Sequence, residues 1–474
     1  MTTTNQATPD ADASAEDVAD VVVLGGGPAG ENVAQCAHEG GLSAVVVEES
    51  LLGGDCSYYA CMPSKALLRP VEVAHTAQHL AGVDSPDVVG KDLLARRDAW
   101  VSHYDDAGQV RWAEGAGLRV VRGRGEIVGP RRVRVTGDGQ SRTLTARKAV
   151  VLATGSAAVV PPAFEDLHPW TSRDATGIVE VPGSIAVVGG GVVAVEAATW
   201  LAALGSRVTL LVRGAALLAG NEPFVGELVR TSLESVGVDV QLETEVREAT
   251  REDAQDAGLG RIHGGSVRLR TTRGELTVDE VLAATGRTPR LTDLGLDSVG
   301  VTPEQVREGR LPDWLHAVGD AKGDALLTHM GKYEARVLGS RLAGVPETAP
   351  AGPVPVPQAV FTDPQVGAVG MTERAAREAG RDVVTAEAPI TAAAGAALLR
   401  DGAAGRAKLV VDRNSGALLG ATFVGPDAAE LVHAATVAVV GQVPVSVLRH
   451  AVPSYPTASE IWLRLLEDLP LALR

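Results

Sequence analysis

Two cysteines separated by four residues, Cys56 and Cys61, stand in the run Gly53-Gly54-Asp55-Cys56-Ser57-Tyr58-Tyr59-Ala60-Cys61-Met62-Pro63-Ser64-Lys65. A cysteine pair about one helical turn apart can close a strained, readily reduced disulfide. Three cysteines in 474 residues do not form a structural framework, and in a reducing compartment such a pair is more often catalytic than structural. Cys36 falls on an expected helix, where a small core residue is the ordinary role. A glycine fingerprint, Gly25-Gly26-Gly27-Pro28-Ala29-Gly30, precedes the pair by about one strand–helix–strand unit. Gly25, Gly27 and Gly30 let a backbone turn approach a pyrophosphate at a helix N-terminus, where amide donors and the helix dipole meet it. Glu48 lies at the following strand's end, where a carboxylate can bind ribose hydroxyls.

The elements that must hold these residues recur twice. A short apolar strand over residues 21–24 leads into the glycines, a helix over about 31–39 and a strand over 43–47. The pattern returns as a strand over 185–188, the fingerprint Gly189-Gly190-Gly191-Val192-Val193-Ala194, a helix to about Leu204 and a strand over 207–212. Apolar runs bounded by glycine turns, with helices of about ten residues between them, predict parallel βαβ units. Two such units mean two nucleotide-binding domains. Each has a later strand ending in Ala-Thr-Gly, at Thr154-Gly155 and at Thr285-Gly286-Arg287. The apolar-rich stretch 314–318 runs into Gly319-Asp320, and a Pro-rich linker spans Pro346 to Pro357. Beyond it, alternating strands and two helical segments predict a third, α+β domain.

Together these motifs resemble the flavoprotein disulfide reductases, the class I pyridine nucleotide-disulfide oxidoreductases that include dihydrolipoamide, glutathione and mercuric reductases. The likeness covers residues 19 to 465. It implies an α/β fold with two Rossmann-like, three-layer nucleotide-binding domains and a C-terminal α+β dimerisation domain. The expected division is a disordered tail over 1–18, an FAD domain over 19–155 and 286–346, an NAD(P) domain over 156–285, and an interface domain over 347–474. The resemblance assigns FAD to the first fingerprint, with Pro28, Ala29 and Gly54 beside its glycines and Glu48. It carries Lys65 to the flavin N5 region, Gly125 to a backbone contact, and Asp320, after Gly319, to the ribityl chain. Thr154, Gly155, Gly286 and Arg287 mark the crossings between the nucleotide domains. Cys61 becomes the sulfur next to the flavin, Cys56 the interchange thiol, and Glu196 the partner of Lys65. A homodimer is implied. So is an enzyme that passes hydride from NAD(P)H through FAD to the Cys56–Cys61 disulfide and on to a small-molecule acceptor, expected to be a disulfide.

The chain departs from that pattern in places that bear on function. In the second fingerprint, Gly189 and Gly191 are kept, the third glycine is Ala194, and the strand-end acid is missing. Val212 stands where Glu48 stands in the first unit, followed by Arg213. Exchanging a carboxylate for a guanidinium there favours a 2′-phosphate, so NADPH is expected, with NADH possible. Val192 replaces a gating tyrosine of some relatives, which predicts an open nicotinamide pocket. In the C-terminal run Pro453-Ser454-Tyr455-Pro456-Thr457-Ala458-Ser459-Glu460, Tyr455 occupies the place of the acid/base histidine of disulfide-reducing relatives, while Glu460 is retained. A tyrosine with an ordinary pKa of about 10 is a donor and a poor base near neutrality. Thiol–disulfide exchange is then expected to slow by ~10² unless another base serves. His450 is five residues off register; it reads as a structural or surface histidine, with a substitute base as the alternative. The alternative is a diaphorase that hands electrons to a quinone without using the disulfide for the acceptor step. A catalytically quiet flavoprotein kept as a binding partner is disfavoured by the intact Cys pair, Lys65 and Glu196. Mercuric reduction needs a C-terminal cysteine pair, and no cysteine follows Cys61.

The bulk properties fit. A hydrophobic fraction of 45% and a charged fraction of 22% are those of a globular protein with more than one domain. A net charge of −16 argues against nucleic acid and anionic membranes. No apolar run reaches the ~18 residues of a membrane span, and the polar, acidic first residues lack a signal-peptide pattern. A cytoplasmic enzyme is expected. The ten histidines show no metal-ligand spacing, and no metal is expected.

Overall fold

The computed structural model describes residues 17–346 and 353–474. The tail expected over 1–18 falls almost wholly outside them, as do residues 347–352 of the linker. The chain forms two compact units, one drawn from Met1–Cys56, Asp105–Ala157 and Thr288–Glu347, the other from Ser57–Tyr104, Ala158–Arg287 and Thr348–Arg474.

The first unit is built on β1 (Val18–Leu24), followed by α1 (Pro28–Glu39) and β2 (Ala44–Glu48). Pro28 opens α1 where a missing N–H costs nothing. β1 lies between β2 and the long strand Gln140–Leu152, parallel to both, with Val21–Leu24 opposite Ala44–Val47 and Ala149–Leu152. Arg119–Arg122 pairs with β2, and Leu315–Ala317 pairs with the far side of Leu152, both again parallel. Central parallel strands are covered on both faces, which is why they read as unbroken runs of valine, alanine and leucine. Val21, Val23, Val46 and Val151 face α1 and the helix Thr328–Leu342. Val22, Leu24, Val45 and Val150 face the opposite layer, with Leu291, Leu296 and Val306. Cys36 sits where these two helices cross: a Cβ on Gly339 would lie 2.7 Å from its own. Its role is packing. The strand Gln140–Leu152 begins well before the apolar run, because its polar first half turns back in an antiparallel meander with Arg132–Gly137 and Arg124–Gly129.

The second unit carries α3 (Cys61–Gln78), which follows α2 (Gly54–Tyr58) in the chain. Its parallel sheet runs in the order Asp239–Gln241, Arg207–Leu211, Ser184–Val188, Glu280–Ala283, with the helix Val192–Ala203 after the second fingerprint. A five-stranded antiparallel sheet (Gln358–Val360, Gln365–Gly370, Leu418–Gly425, Arg406–Asp412, Val383–Pro389) forms the C-terminal part. Its two longer helices are Ala428–Val440 and Ile461–Asp468. Three further turns, Glu373–Glu378, Ala394–Ala397 and Val445–Leu448, are too short to show a helical period in the sequence. The architecture is the α/β class expected, with two nucleotide-binding βαβ sheets and an α+β C-terminal domain.

Candidate active site

In the first unit the glycine turn is tightly built. Gly25 has φ +103°, and a Cβ there would sit 2.3 Å from the Ala153 carbonyl oxygen. Gly54 has φ +61°, and a Cβ would approach Gly27 Cα to 2.7 Å, so the stretch before Cys56 lies against the fingerprint. By contrast a Cβ on Gly27 would meet nothing nearer than 3.8 Å, which leaves the entry to α1 open there, whereas Gly30 is buried and a Cβ on it would strike Gly25 O at 1.9 Å, the close packing its place in the fingerprint requires. Glu48 ends β2 buried, its Oε2 accepting the Gly26 N–H at 2.7 Å and its Oε1 that of Ser50 at 2.7 Å. Burial pushes this carboxyl above its usual pKa, opposed by the two amides. An open amide cradle with a clamped strand-end carboxylate has the donor set of a dinucleotide site, so the residues present fit FAD.

Other expected positions gather on the same unit. Gly319 has φ +62°; a Cβ there would lie 3.1 Å from Ala29 Cβ, and its N–H donates to Glu334 Oε2 at 2.9 Å. This seats Asp320 by the fingerprint helix, where it accepts a hydrogen bond from Ser156, a residue that no motif signalled. Thr154 donates to the Arg290 carbonyl at 2.6 Å, and the Arg290 N–H donates to Gly155 O at 3.0 Å. Arg290 also lies 3.7 Å from Asp55. Gly125 has a packing reason of its own, since a Cβ would lie 2.6 Å from Leu24 Cδ2.

Glu31, in the first turn of α1, belongs to no motif either. It is 7% exposed, accepts a 2.8 Å bond from Gln109, and burial raises its pKa from the usual 4.5 to about 7. The folded chain thus holds this proton through a range where the unfolded chain has lost it, so stability falls as pH rises from 4.5 to 7 and then levels off. Glu31→Gln keeps an acceptor for Gln109 and removes the charge. The variant should melt at a higher temperature than the wild type at pH 8, by an amount equivalent to on the order of 3 kcal/mol, and together with it at pH 4. Equal melting at both pH values would contradict this.

In the second unit the second fingerprint repeats the first with one exchange. A Cβ on Gly26 would meet Glu48 Cβ at 3.2 Å; a Cβ on Gly190 would meet Val212 Cγ1 at 2.7 Å. Val212 therefore fills the very place of the first carboxylate. Arg213 is exposed. A Cβ on Gly189, φ +140°, would strike the Ala284 carbonyl at 2.2 Å, whereas one on Gly191 would meet nothing within 4 Å. Val192, the next residue, is exposed. Ala194 is fully buried, as close helix–strand packing requires. The Gly286 carbonyl accepts from Val159 at 2.9 Å, and Arg287 donates to Ser172 at 3.1 Å.

Lys65 lies one turn along α3 from Cys61, so both occupy one helix face. Its Nζ is 2.8 Å from Glu196 Oε2. Phe361 holds this pair from two sides: its N–H donates to Glu196 Oε1 at 2.9 Å, and its ring centroid lies 4.9 Å from Lys65 Nζ. Among the C-terminal residues, Tyr455 is 77% exposed, while Glu460 is 5% exposed and its Oε2 has no partner among the described residues. The Tyr455 loop is set by the Thr457 hydroxyl on Ser454 O at 2.7 Å and by Gly395, whose Cβ would lie 2.1 Å from Thr457 C. His450 is exposed on a separate turn.

The family profile for pyridine nucleotide-disulphide oxidoreductases matches residues 19–311, and that of their dimerisation domain matches 356–465. Dihydrolipoyl dehydrogenase of Haloferax volcanii is 33% identical over 469 residues, covering 95% of this chain and 96% of that one. The enzyme of the same name from Chlorobaculum tepidum is 34% identical over 455 residues, covering 93% and 95%. The solved structure of the HOCl-induced flavoprotein disulfide reductase RclA from Escherichia coli matches with a TM-score of 0.81 at 25% identity, over 95% of this chain and 100% of that one.

Proposed function

Because the chain belongs to the pyridine nucleotide-disulphide oxidoreductases and is an FAD-dependent enzyme of that family, we propose that it takes hydride from NADPH and delivers the electrons through Cys56 and Cys61 to a small disulfide. The observation that carries this reading is α3, which starts at Cys61 and presents Lys65 on the same face, paired to Glu196. The N-terminus of α3 favours a thiolate on Cys61. By the family likeness Lys65 would supply a cation to the flavin N5 region, and Glu196 with Phe361 fixes where that cation stands. FAD, when bound, supplies a two-electron carrier between nicotinamide and sulfur. Cys56, at the other end of the intercysteine segment, attacks the acceptor. Steady-state assays of the purified holoprotein with lipoamide, oxidised glutathione and a quinone test the proposal; turnover of the quinone alone would overturn it.

The nicotinamide preference rests on Val212 and Arg213. A charge-assisted contact to a 2′-phosphate is worth about 1.5–3 kcal/mol. Arg213→Ala should therefore raise the KM for NADPH by ~10–100-fold and leave that for NADH within about twofold. Equal effects on both nucleotides would remove Arg213 from this role.

The proposed assembly is a homodimer. Val437, Val440, Val447, Val452 and Tyr455 are all exposed on the domain that matches the family's dimerisation profile, an apolar set that a partner subunit would cover. Among the described residues no helix is long and apolar enough to cross a membrane, and the proposed location is the cytoplasm. A second reading, electron transfer from flavin to a quinone, is favoured by Tyr455, which replaces the family's acid/base histidine and stands in solvent.

A further inference from the structure

The segment between the two cysteines is held more firmly than covalent connection requires. The Tyr59 carbonyl accepts a 2.8 Å bond from the Thr176 hydroxyl. Its ring stacks on Tyr104, with centroids 5.4 Å apart and planes at 24°, and the Arg173 guanidinium lies over it at 4.3 Å. Such stacked and cation–π contacts stabilise a ring beyond the area it buries. Arg173 and Thr176 come from one short helical turn, Ser172–Thr176, fastened at its start by a reciprocal cap between Thr171 and Asp174. Tyr104 is delivered by three successive residues in the left-handed region, Ser102 (φ 49°), His103 (φ 51°) and Tyr104 (φ 62°). Non-glycine residues adopt that conformation at a cost and persist there when their surroundings dictate it. The Tyr104 hydroxyl is buried with no partner among the described residues, so what holds this side chain is its ring. Neighbouring Tyr58 is buried, its ring 6.4 Å from that of Tyr59.

We propose that Tyr104, Arg173 and Thr176 clamp Tyr59 so that the intercysteine segment keeps one shape in the disulfide and the dithiol, and that this clamp sets the midpoint potential of the Cys56–Cys61 couple. The inference rests on the proposed redox role of that pair. Two electrons and two protons convert the disulfide to two thiols. The Cys56 thiolate then attacks an acceptor R–S–S–R, forming Cys56–S–S–R and releasing one RS⁻. The Cys61 thiolate attacks Cys56 Sγ, releases the second RS⁻ and re-forms the disulfide. A segment that the clamp holds in one shape loses less freedom at this last step, so closure is favoured and the midpoint potential is low. Tyr59, Tyr104, Arg173 and Thr176 act as positioning residues.

The test equilibrates the FAD-loaded protein in graded glutathione buffers and reads the dithiol fraction by thiol alkylation and intact mass. Tyr59→Ala should weaken closure by ~10-fold, raising the midpoint by about 30 mV. Tyr59→Phe, which keeps the ring, should match the wild type. Tyr104→Leu and Arg173→Met should shift it in the same direction by less, and they decide the matter if Tyr59→Ala fails to fold. Unchanged potentials in folded variants would overturn the clamp while leaving the redox pair in place. A wild type whose Cys56 and Cys61 never interconvert with the buffer would overturn the redox pair, and the clamp with it.

Discussion

Cys56→Ser should reduce turnover of disulfide acceptors by ~10³-fold or more, while quinone reduction by the same protein stays within a few-fold of the wild type. The asymmetry follows from the roles assigned to the two sulfurs. Cys61 opens α3 and shares a face with Lys65, and in the proposed relay it is the sulfur next to the flavin. Cys56, in α2, is the sulfur proposed to meet the acceptor. Removing it leaves Lys65, Glu196 and Phe361 untouched, and a quinone that accepts directly from flavin does not need it. Loss of both activities would mean that Cys56 supports FAD binding or folding. Loss of neither would move the enzyme to the diaphorase class. Rates with oxidised lipoamide and a water-soluble quinone, measured at equal flavin content, separate these outcomes.

Tyr455→His should act in the opposite direction and raise disulfide turnover by ~10² near neutral pH. Proton transfer to and from a leaving thiol is served by a group that titrates close to the working pH, which imidazole does and a phenol does not. The C-terminal domain retains half of the required arrangement. Glu460 is buried with an oxygen that has no partner among the described residues, a costly state for a carboxylate. The loop carrying position 455 is pinned by Thr457 and Gly395, so the new side chain enters a defined backbone. The variant's pH profile should acquire a limb near the ordinary histidine pKa of about 6.5, and Glu460→Gln in that background should remove much of the gain. An unchanged rate and profile would show that position 455 has no part in the acceptor step.

What the amino-acid sequence discloses here is local in kind. Both nucleotide-binding units are legible because a central parallel strand is apolar throughout and each fingerprint needs glycine for steric reasons that leave few substitutes. Val21–Leu24 and Ile185–Val188 are therefore apparent from residue order alone, as is the loss of the second strand-end acid. Lys65 and Glu196 become a pair only through the family likeness, since 131 positions separate them. The contribution of Phe361 is hidden for a different reason: half of it is a backbone N–H, which every residue but proline possesses. The same holds for the Tyr59 clamp, assembled from a strained turn at 102–104 and a capped turn at 172–176 that have no sequence pattern in common. Glu31 reads as an ordinary first-turn acid, and only its burial beneath Gln109 makes it unusual. The strand Gln140–Leu152 is legible only in its apolar second half, because the first half alternates in an antiparallel meander.

In the proposed function Cys61 is electronically coupled to bound FAD and the pair lies on the path of electrons. Anaerobic titration of the yellow holoprotein with NADPH, following the visible spectrum, tests it most directly. A long-wavelength charge-transfer band is expected that grows with the first two electrons, is reached at lower concentration with NADPH than with NADH, and disappears in Cys61→Ser. Direct bleaching of the flavin with no such band, in wild type and variant alike, would contradict it.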